Sequence, residues 1–250
     1  LFVLALHGSW SARHPGTPQG AGNQASRLRD LPARPEDIEA HGRQARSVLG
    51  PDAARAKNAA VPFAAGPLGL PRPFVFAGSA EDRARALECL ATAVIYEAGD
   101  DAVGQAAVAQ VVLNRVRHPA FPATVCGVVY QGAQRATGCQ FTFTCDGSLR
   151  RQMPEAARQR AREVALRALS GHVDKSVGLA THYHTDWVYP YWSPQLRKLG
   201  RVGTHLFFGW PGAWGGRNAF RQAYRGNAAP QPLAGAATGV DLQPFADTGC

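Results

Sequence analysis

The 250-residue chain carries 27 Lys and Arg residues against 18 Asp and Glu residues, which gives a formal net charge of +9 at pH 7. This charge favours polyanionic partners such as nucleic acid, anionic lipid surfaces, teichoic acids or acidic peptides. The sequence lacks the RNP, zinc-finger and basic-region patterns, which argues against a nucleic-acid-binding fold. The length suits one domain with a sizeable core and flanking sequence.

The sequence begins with the apolar stretch LFVLALHGSW, which is too short to span a bilayer. We interpret it as the end of a signal peptide or of a membrane anchor, and we expect export to the periplasm or cell envelope. Residues 11–73 are rich in Pro, Gly, Ala and Arg, which predicts a largely disordered linker with one short helix at 35–48. The predicted organisation is an anchor remnant and linker at 1–77, a folded domain at 78–225 and a flexible tail at 226–250.

The predicted domain is α+β, mainly helical with a small β-sheet. One helix begins after Ser79 and carries an apolar stripe at Leu87, Leu90, Ala91, Val94 and Ile95. A second, more apolar helix, AVGQAAVAQVVLNRVRH, is expected to be buried and to stop before Pro119. A third begins at Pro154 and ends at Gly171. The aromatic-rich stretch 178–210 predicts short strands and loops.

Glu97 is an ionisable residue at the end of the first apolar helix. On a helix that advances about 100° per residue, Glu97 lies close in angle to Leu90, at the margin of the apolar stripe. Partial burial and the negative carbonyl end of the helix both disfavour a carboxylate there. We therefore expect a raised pKa, which suits a general acid, although a surface glutamate at a fraying helix end fits the same pattern.

Three of the five cysteines, Cys126, Cys139 and Cys145, lie close together in the sequence without a C-x-x-C pair. A short bridge among the three would suit an oxidising compartment, whereas buried free thiols are the alternative.

Several ordered motifs between residues 87 and 210 resemble one enzyme family. These motifs are IYEA, GQAAVAQVVLNRVRHPAFPATVCGVVYQG, GCQFTFTCDGS, THYH and GTHLFF. Together they are similar to the cell wall hydrolase family typified by the spore cortex-lytic enzyme SleB. The resemblance implies a lysozyme-like α+β domain that cleaves peptidoglycan between N-acetylmuramic acid and N-acetylglucosamine, as a lytic transglycosylase or muramidase. It also implies that Glu97, in the YEA motif, is the catalytic acid.

The chain departs from the family pattern just after this acid. Family members commonly carry a second acid shortly after the EA, whereas here the shorter connection GDD offers Asp100 and Asp101. Asp146 and Asp186 are further candidates for a second carboxylate. We favour a scheme with Glu97 alone, because the muramyl C6 hydroxyl can attack C1 and form a 1,6-anhydro sugar. If the missing acid matters, the protein would be slower, altered in outcome or inactive.

Six side chains are predicted to bind the substrate: Gln140, Phe141, Thr142, Tyr183, His184 and Trp187. Gln140 offers hydrogen bonds to sugar N-acetyl or hydroxyl groups, and aromatic rings pack against the apolar faces of sugars. A buried strand phenylalanine is the alternative for Phe141. Of the aromatic residues Tyr183, Trp187, Tyr189, Tyr191 and Trp192, we expect one or two in the groove. No cofactor or metal is expected, the partner is peptidoglycan, and the protein is expected to be a monomer.

The segment HYHTDW supports a rival hypothesis. His182, His184 and Asp186 alternate, so a strand would project them from one face like metal ligands, and His205 could complete the site. A metal-dependent hydrolase is therefore one alternative. A noncatalytic wall-binding module and a nucleic-acid binder that uses the basic segments are the others.

Overall fold

The computed structural model describes residues 49–135 and 139–226. Their helices are α1 Pro51–Ala60, α2 Ala80–Ala98, α3 Ala102–Val116, α4 Val125–Val129 and α5 Glu155–Leu169. Their strands are β1 His182–Thr185, β2 Arg197–Val202 and β3 His205–Gly209. Short 3-10 turns lie at Thr142–Thr144, Ser148–Arg150, Ser193–Gln195 and Gly212–Gly215. The expectation of a mainly helical α+β domain with a small sheet is confirmed.

Helix α2 begins as its sequence predicts. The Ser79 hydroxyl accepts a hydrogen bond from the Asp82 backbone N–H at 3.0 Å, and the Asp82 carboxylate accepts one from the Ser79 N–H at 3.3 Å. This capping box satisfies two donors that a helix start leaves unpaired. The helix ends at Ala98, because Gly99 adopts a φ of +57° that disfavours other residues. Glu97 is thus held in the last turn.

Helix α3 is the central element of the core. The Asp101 carboxylate caps its start by accepting a hydrogen bond from the Val103 N–H at 3.0 Å. Almost every residue from Gly104 to Val116 is buried, and the helix packs against α2, α4 and α5. The prediction that this helix is the buried one is confirmed.

The three strands form an antiparallel sheet in the order β1-β3-β2. Tyr183 pairs with Phe207 and Thr185 pairs with His205, so these four residues share one face. That face packs on α3 through Phe207, which clusters with Ala107 and Val111. His182 and His184 lie on the opposite face, within the main core.

The segment N-terminal to residue 78 is a correction to the predicted linker. Helix α1 lies within it, and the Asn58 side chain is buried, donating to the carbonyls of Asp186 and Val188 at 2.7 and 2.8 Å. In the other direction, the Nζ of Lys198 on β2 donates hydrogen bonds to the carbonyls of Asn58 and Val61 at 2.8 and 3.0 Å. These tertiary contacts offset the conformational entropy that the segment loses when it becomes ordered. Its amino-acid composition alone did not indicate such contacts. The predicted anchor remnant, the helix at 35–48 and most of the tail lie outside the described residues.

Two disulfides cross-link the described part of the chain. Cys89 of α2 pairs with Cys126 of α4, with a Cα–Cα distance of 5.3 Å. Cys139 pairs with Cys145 across 6.4 Å, which is a bridge within the predicted group of three. Cys126, the third member of that group, pairs instead with Cys89, which lies 37 residues before it. Within 49–135 and 139–226, the helices are too short or too polar to cross a bilayer.

Candidate active site

Glu97 lies in the last turn of α2 and is half-buried, as its helical angle predicted. Its Oε2 atom accepts a hydrogen bond of 2.8 Å from the hydroxyl of Tyr183 on β1. The contact joins residues 86 positions apart, so it exists only because the sheet packs beside the end of α2. It also places a phenol donor on the carboxyl group proposed as the acid.

Burial raises the pKa of Glu97 above its ordinary value. The hydrogen bond from Tyr183 and the positive charge of Arg115 oppose this increase, whereas the negative charge of Asp146 adds to it. Desolvation is therefore the main cause of the raised pKa, in agreement with the expected direction. A carboxyl group of this kind holds a proton closer to neutrality than an exposed glutamate does.

Arg115 of α3 is a buried cation that the sequence analysis did not single out. It is 3% exposed, donates from Nε to the Thr181 carbonyl at 2.6 Å, and lies 5.3 and 5.2 Å from the rings of Phe121 and Phe141. With its amide oxygen turned toward the guanidinium, Gln140 accepts from both terminal nitrogens at 3.0 Å. A buried charge requires such partners. An arginine inside the apolar run VVLNRV was the available signal.

The predicted substrate-binding residues do not share one environment. Tyr183 contacts Glu97, and Gln140 contacts Arg115 beside it. Thr142 and Trp187 are exposed, the latter by 39%. Phe141 is only 2% exposed and packs against Phe143 and Tyr183, so the structure favours its alternative, a buried core ring.

His184 is a correction among these predictions. It lies on the face of β1 opposite to Tyr183 and is 8% exposed. Its Nδ1 pairs with the Thr185 carbonyl at 2.9 Å, its Nε2 pairs with the Ser193 hydroxyl at 2.8 Å, and its ring stacks on Phe208. Burial lowers its pKa to about 4. Because both nitrogens are engaged, His184 is a structural residue rather than a sugar ligand.

The two aspartates of the GDD connection make contacts within the fold. Asp100 is exposed and accepts a hydrogen bond from Arg160 Nε at 2.7 Å, and Asp101 caps α3. Asp186 is paired with Arg201 at 2.8 Å and with Arg55 at 3.4 Å. Asp146 differs, because its charge acts on Glu97 and hydrogen bonds from Ser148 lower its own pKa. Asp146 is thus the best-placed second carboxylate among the four predicted candidates.

The structure separates the residues of the HYHTDW hypothesis. His182 and His184 share the core face as predicted, whereas His205 lies on the opposite face of the sheet and Asp186 is in ion pairs with two arginines. Across the residues that the structure describes, three His, Cys, Asp or Glu side chains nowhere come together as a metal site. The four side chains proposed as ligands by the metal-dependent hypothesis therefore do not form one site.

Comparison with known proteins shows that the sequence around this site matches one family. Residues 99–208 match the model of the Cell Wall Hydrolase family. This part of the chain belongs to the cell wall hydrolase family. The match begins two positions after Glu97, so the candidate acid and helix α2 lie just N-terminal to the matched region.

Curated relatives and solved structures show the same similarity. The chain is 34% identical over 122 residues to the spore cortex-lytic enzymes of Halalkalibacterium halodurans and Bacillus subtilis, covering 48% of this chain. It spans only 34 and 36% of the length of these two relatives. The catalytic domains of SleB from Bacillus cereus and of the germination-specific lytic transglycosylase SleB from Bacillus anthracis are 29 and 30% identical. Each aligns to 54% of this chain and to 94 or 99% of its own, with a TM-score of 0.41.

Proposed function

We propose that this protein is an enzyme that cleaves the glycan strands of peptidoglycan between N-acetylmuramic acid and N-acetylglucosamine. It acts as a lytic transglycosylase, with Glu97 as general acid and then general base. The family membership and the relatives named spore cortex-lytic enzymes support a cell wall substrate. The observation that carries the proposal is the half-buried carboxyl group of Glu97, with a raised pKa and a hydrogen bond from Tyr183.

In the first step, protonated Glu97 donates its proton to the glycosidic oxygen as the bond from that oxygen to the muramyl C1 breaks. The N-acetylglucosamine segment leaves as an alcohol, and Glu97 becomes a carboxylate. The Tyr183 hydroxyl and the positive charge of Arg115 both favour this charged form. They therefore stabilise the negative charge that develops in the transition state.

In the second step, the C6 hydroxyl of the same muramyl residue attacks C1, which carries positive charge. The Glu97 carboxylate accepts the hydroxyl proton, and a 1,6-anhydro ring closes. No water is consumed, and Glu97 returns to its protonated form. One protein carboxyl group is sufficient, which fits the structural roles of Asp100 and Asp101.

Other features support the same assignment. Two disulfides suit an oxidising compartment, such as the periplasm or cell envelope, to which we propose the protein is exported. The net charge of +9 favours a wall polymer that carries acidic stem peptides. Exposed Thr142 and Trp187 remain proposed sugar contacts, with Gln140 and Tyr183 beside the acid. We propose that the enzyme acts as a monomer without a cofactor.

The test is mass spectrometry of fragments released from purified peptidoglycan by the wild type, by Glu97→Gln and by Glu163→Gln. Glu163 is an exposed glutamate on α5 and serves as a matched control. We expect anhydromuramyl ends from the wild type and the control, and none from Glu97→Gln. Reducing muramic ends would instead indicate hydrolysis, and Asp146 would then be the candidate for the second catalytic carboxylate.

A noncatalytic wall-binding module is the outcome that would overturn the proposal. In that case the folded wild type and Glu97→Gln would both bind peptidoglycan and release no fragments. Release that is equal for the two proteins would show that Glu97 is not the acid.

A further inference from the structure

His205 is the first residue of β3 and contacts Tyr183, which donates a hydrogen bond to the candidate acid. It pairs with Thr185 across the strands and therefore shares the sheet face of Tyr183. The His205 and Tyr183 rings meet edge to face, with centroids 5.5 Å apart and an interplanar angle of 72°. Because the Tyr183 hydroxyl reaches Glu97 at 2.8 Å, His205 is separated from Glu97 by a single aromatic side chain.

The other histidines of the core have hydrogen-bonded ring nitrogens. In His118, Nε2 pairs with the Trp214 carbonyl at 3.0 Å and Nδ1 accepts from the Ala120 N–H at 3.2 Å. Both nitrogens of His184 are engaged, and Nδ1 of His182 pairs with Thr181. Within the described part of the chain, no hydrogen bond reaches the ring of His205, although this ring is half-buried.

The environment of His205 favours the neutral form of its imidazole. Burial lowers its pKa, and the opposing influence of the Asp101 carboxylate does not reverse that direction. A neutral imidazole offers one N–H donor and one acceptor nitrogen. Hydroxyl and acetamido groups of amino sugars also present both a donor and an acceptor, so either can form a hydrogen bond with this ring.

We propose that His205 binds the substrate by a hydrogen bond to a hydroxyl or acetamido group of a sugar next to the bond that is cleaved. This proposal rests on the proposed function, because it takes the glycan as the ligand. The edge-to-face contact with Tyr183 holds the ring against the residue that binds Glu97, and its nitrogens have no hydrogen-bond partner among the described residues, which leaves them available to the sugar. His205 thus contributes to recognition without transferring a proton.

A binding experiment separates this inference from the chemistry. The Glu97→Gln protein, with isotope-labelled histidine, is titrated with a peptide-free tetrasaccharide of alternating N-acetylglucosamine and N-acetylmuramic acid and followed by NMR. We expect the His205 ring signals to shift, whereas those of exposed His172, beside a separate cavity with Gln110 and Asp174, stay unchanged. Binding without a change at His205, or no binding of the tetrasaccharide, would overturn the inference.

Kinetics with the same soluble glycan provide the second readout. His205→Phe keeps an aromatic ring against Tyr183 and removes both hydrogen-bonding nitrogens. We expect KM to rise about three- to tenfold, the range for one neutral hydrogen bond, with kcat within about twofold. His205→Gln should recover part of the loss, and His172→Gln should behave as the wild type. An unchanged KM for His205→Phe, or a loss confined to kcat, would contradict substrate binding.

The two proposals can fail separately. If the wild type released no fragments while the tetrasaccharide still shifted the His205 signals, the proposed reaction would be wrong and the binding role of His205 would stand. If fragments formed but His205→Phe had the wild-type KM, the reaction would stand and this inference would be wrong.

Discussion

Replacing Tyr183 with Phe tests the candidate site most directly, because it removes one hydrogen bond and keeps the ring. The Tyr183 hydroxyl donates to Glu97 Oε2 at 2.8 Å, and the ring packs against Phe207 and His205. A hydrogen bond to a charged group contributes about 1.5–3 kcal/mol. Glu97 is half-buried and keeps some contact with solvent, so the lower end of this range applies. Since 1.36 kcal/mol corresponds to a factor of ten, kcat should fall roughly tenfold.

The same substitution should move the pH–rate profile in a defined direction. The hydrogen bond from Tyr183 lowers the pKa of Glu97, so its loss lets the carboxyl group keep its proton at higher pH. Because the first step requires protonated Glu97, the alkaline limb of the profile should move to higher pH. The plateau rate would still be lower, since the developing carboxylate loses a donor.

The assay is the rate of anhydromuramyl product formation from purified peptidoglycan across a range of pH. Tyr189→Phe is the matched control, because the Tyr189 ring packs near Lys57 of α1 rather than against Glu97. Thermal unfolding checks that both variants fold. A limb that moves to lower pH, or an unchanged kcat, would refute the role that we assign to the contact between Tyr183 and Glu97.

Two further predictions concern Asp146 and the disulfides. Asp146→Asn removes a negative charge that raises the pKa of Glu97, so the alkaline limb should move to lower pH, and more strongly at low salt. A plateau rate that collapses in this variant would instead identify Asp146 as a second catalytic carboxylate. Replacing Cys89 and Cys126 by Ala should lower the free energy of unfolding by about 4 kcal/mol, against about 2 kcal/mol for Cys139 and Cys145, because loop entropy grows with length. The bridges close separations of 37 and 6 residues. Urea titrations that ranked them the other way would contradict this reasoning.

The elements with strong local signals were predictable from the sequence. Ser79 and the acidic first turn marked the start of α2, and the near-continuous apolar run marked α3 as the buried helix. Helical periodicity alone placed Glu97 at the margin of the apolar stripe, and its half-buried position agrees. These features depend on neighbours within a few residues along the chain, which is the range over which periodicity and capping act.

The parts of the site that depend on distant segments were not predictable in this way. Arg115 is stabilised by Thr181 and Gln140, which lie far from it in the sequence, so its burial could not be inferred from α3 alone. The alternation of His184 and Tyr183 along β1 was visible, but only the packed sheet shows which face meets Glu97. His184 was misassigned because the side chain that satisfies it, Ser193, follows in a turn nine residues later.

The N-terminal segment has a consequence for the association behaviour of the domain. Strand β2 lies at one edge of the sheet, and an uncovered edge offers unpaired backbone groups to a second chain. Here the Ala64 N–H bonds to the Lys198 carbonyl at 2.7 Å, and the Lys198 side chain bonds to the carbonyls of Asn58 and Val61. The segment therefore acts as a cover for part of this edge. A shorter domain cut to the family-matched residues would carry an open strand, ready to pair with its own copies.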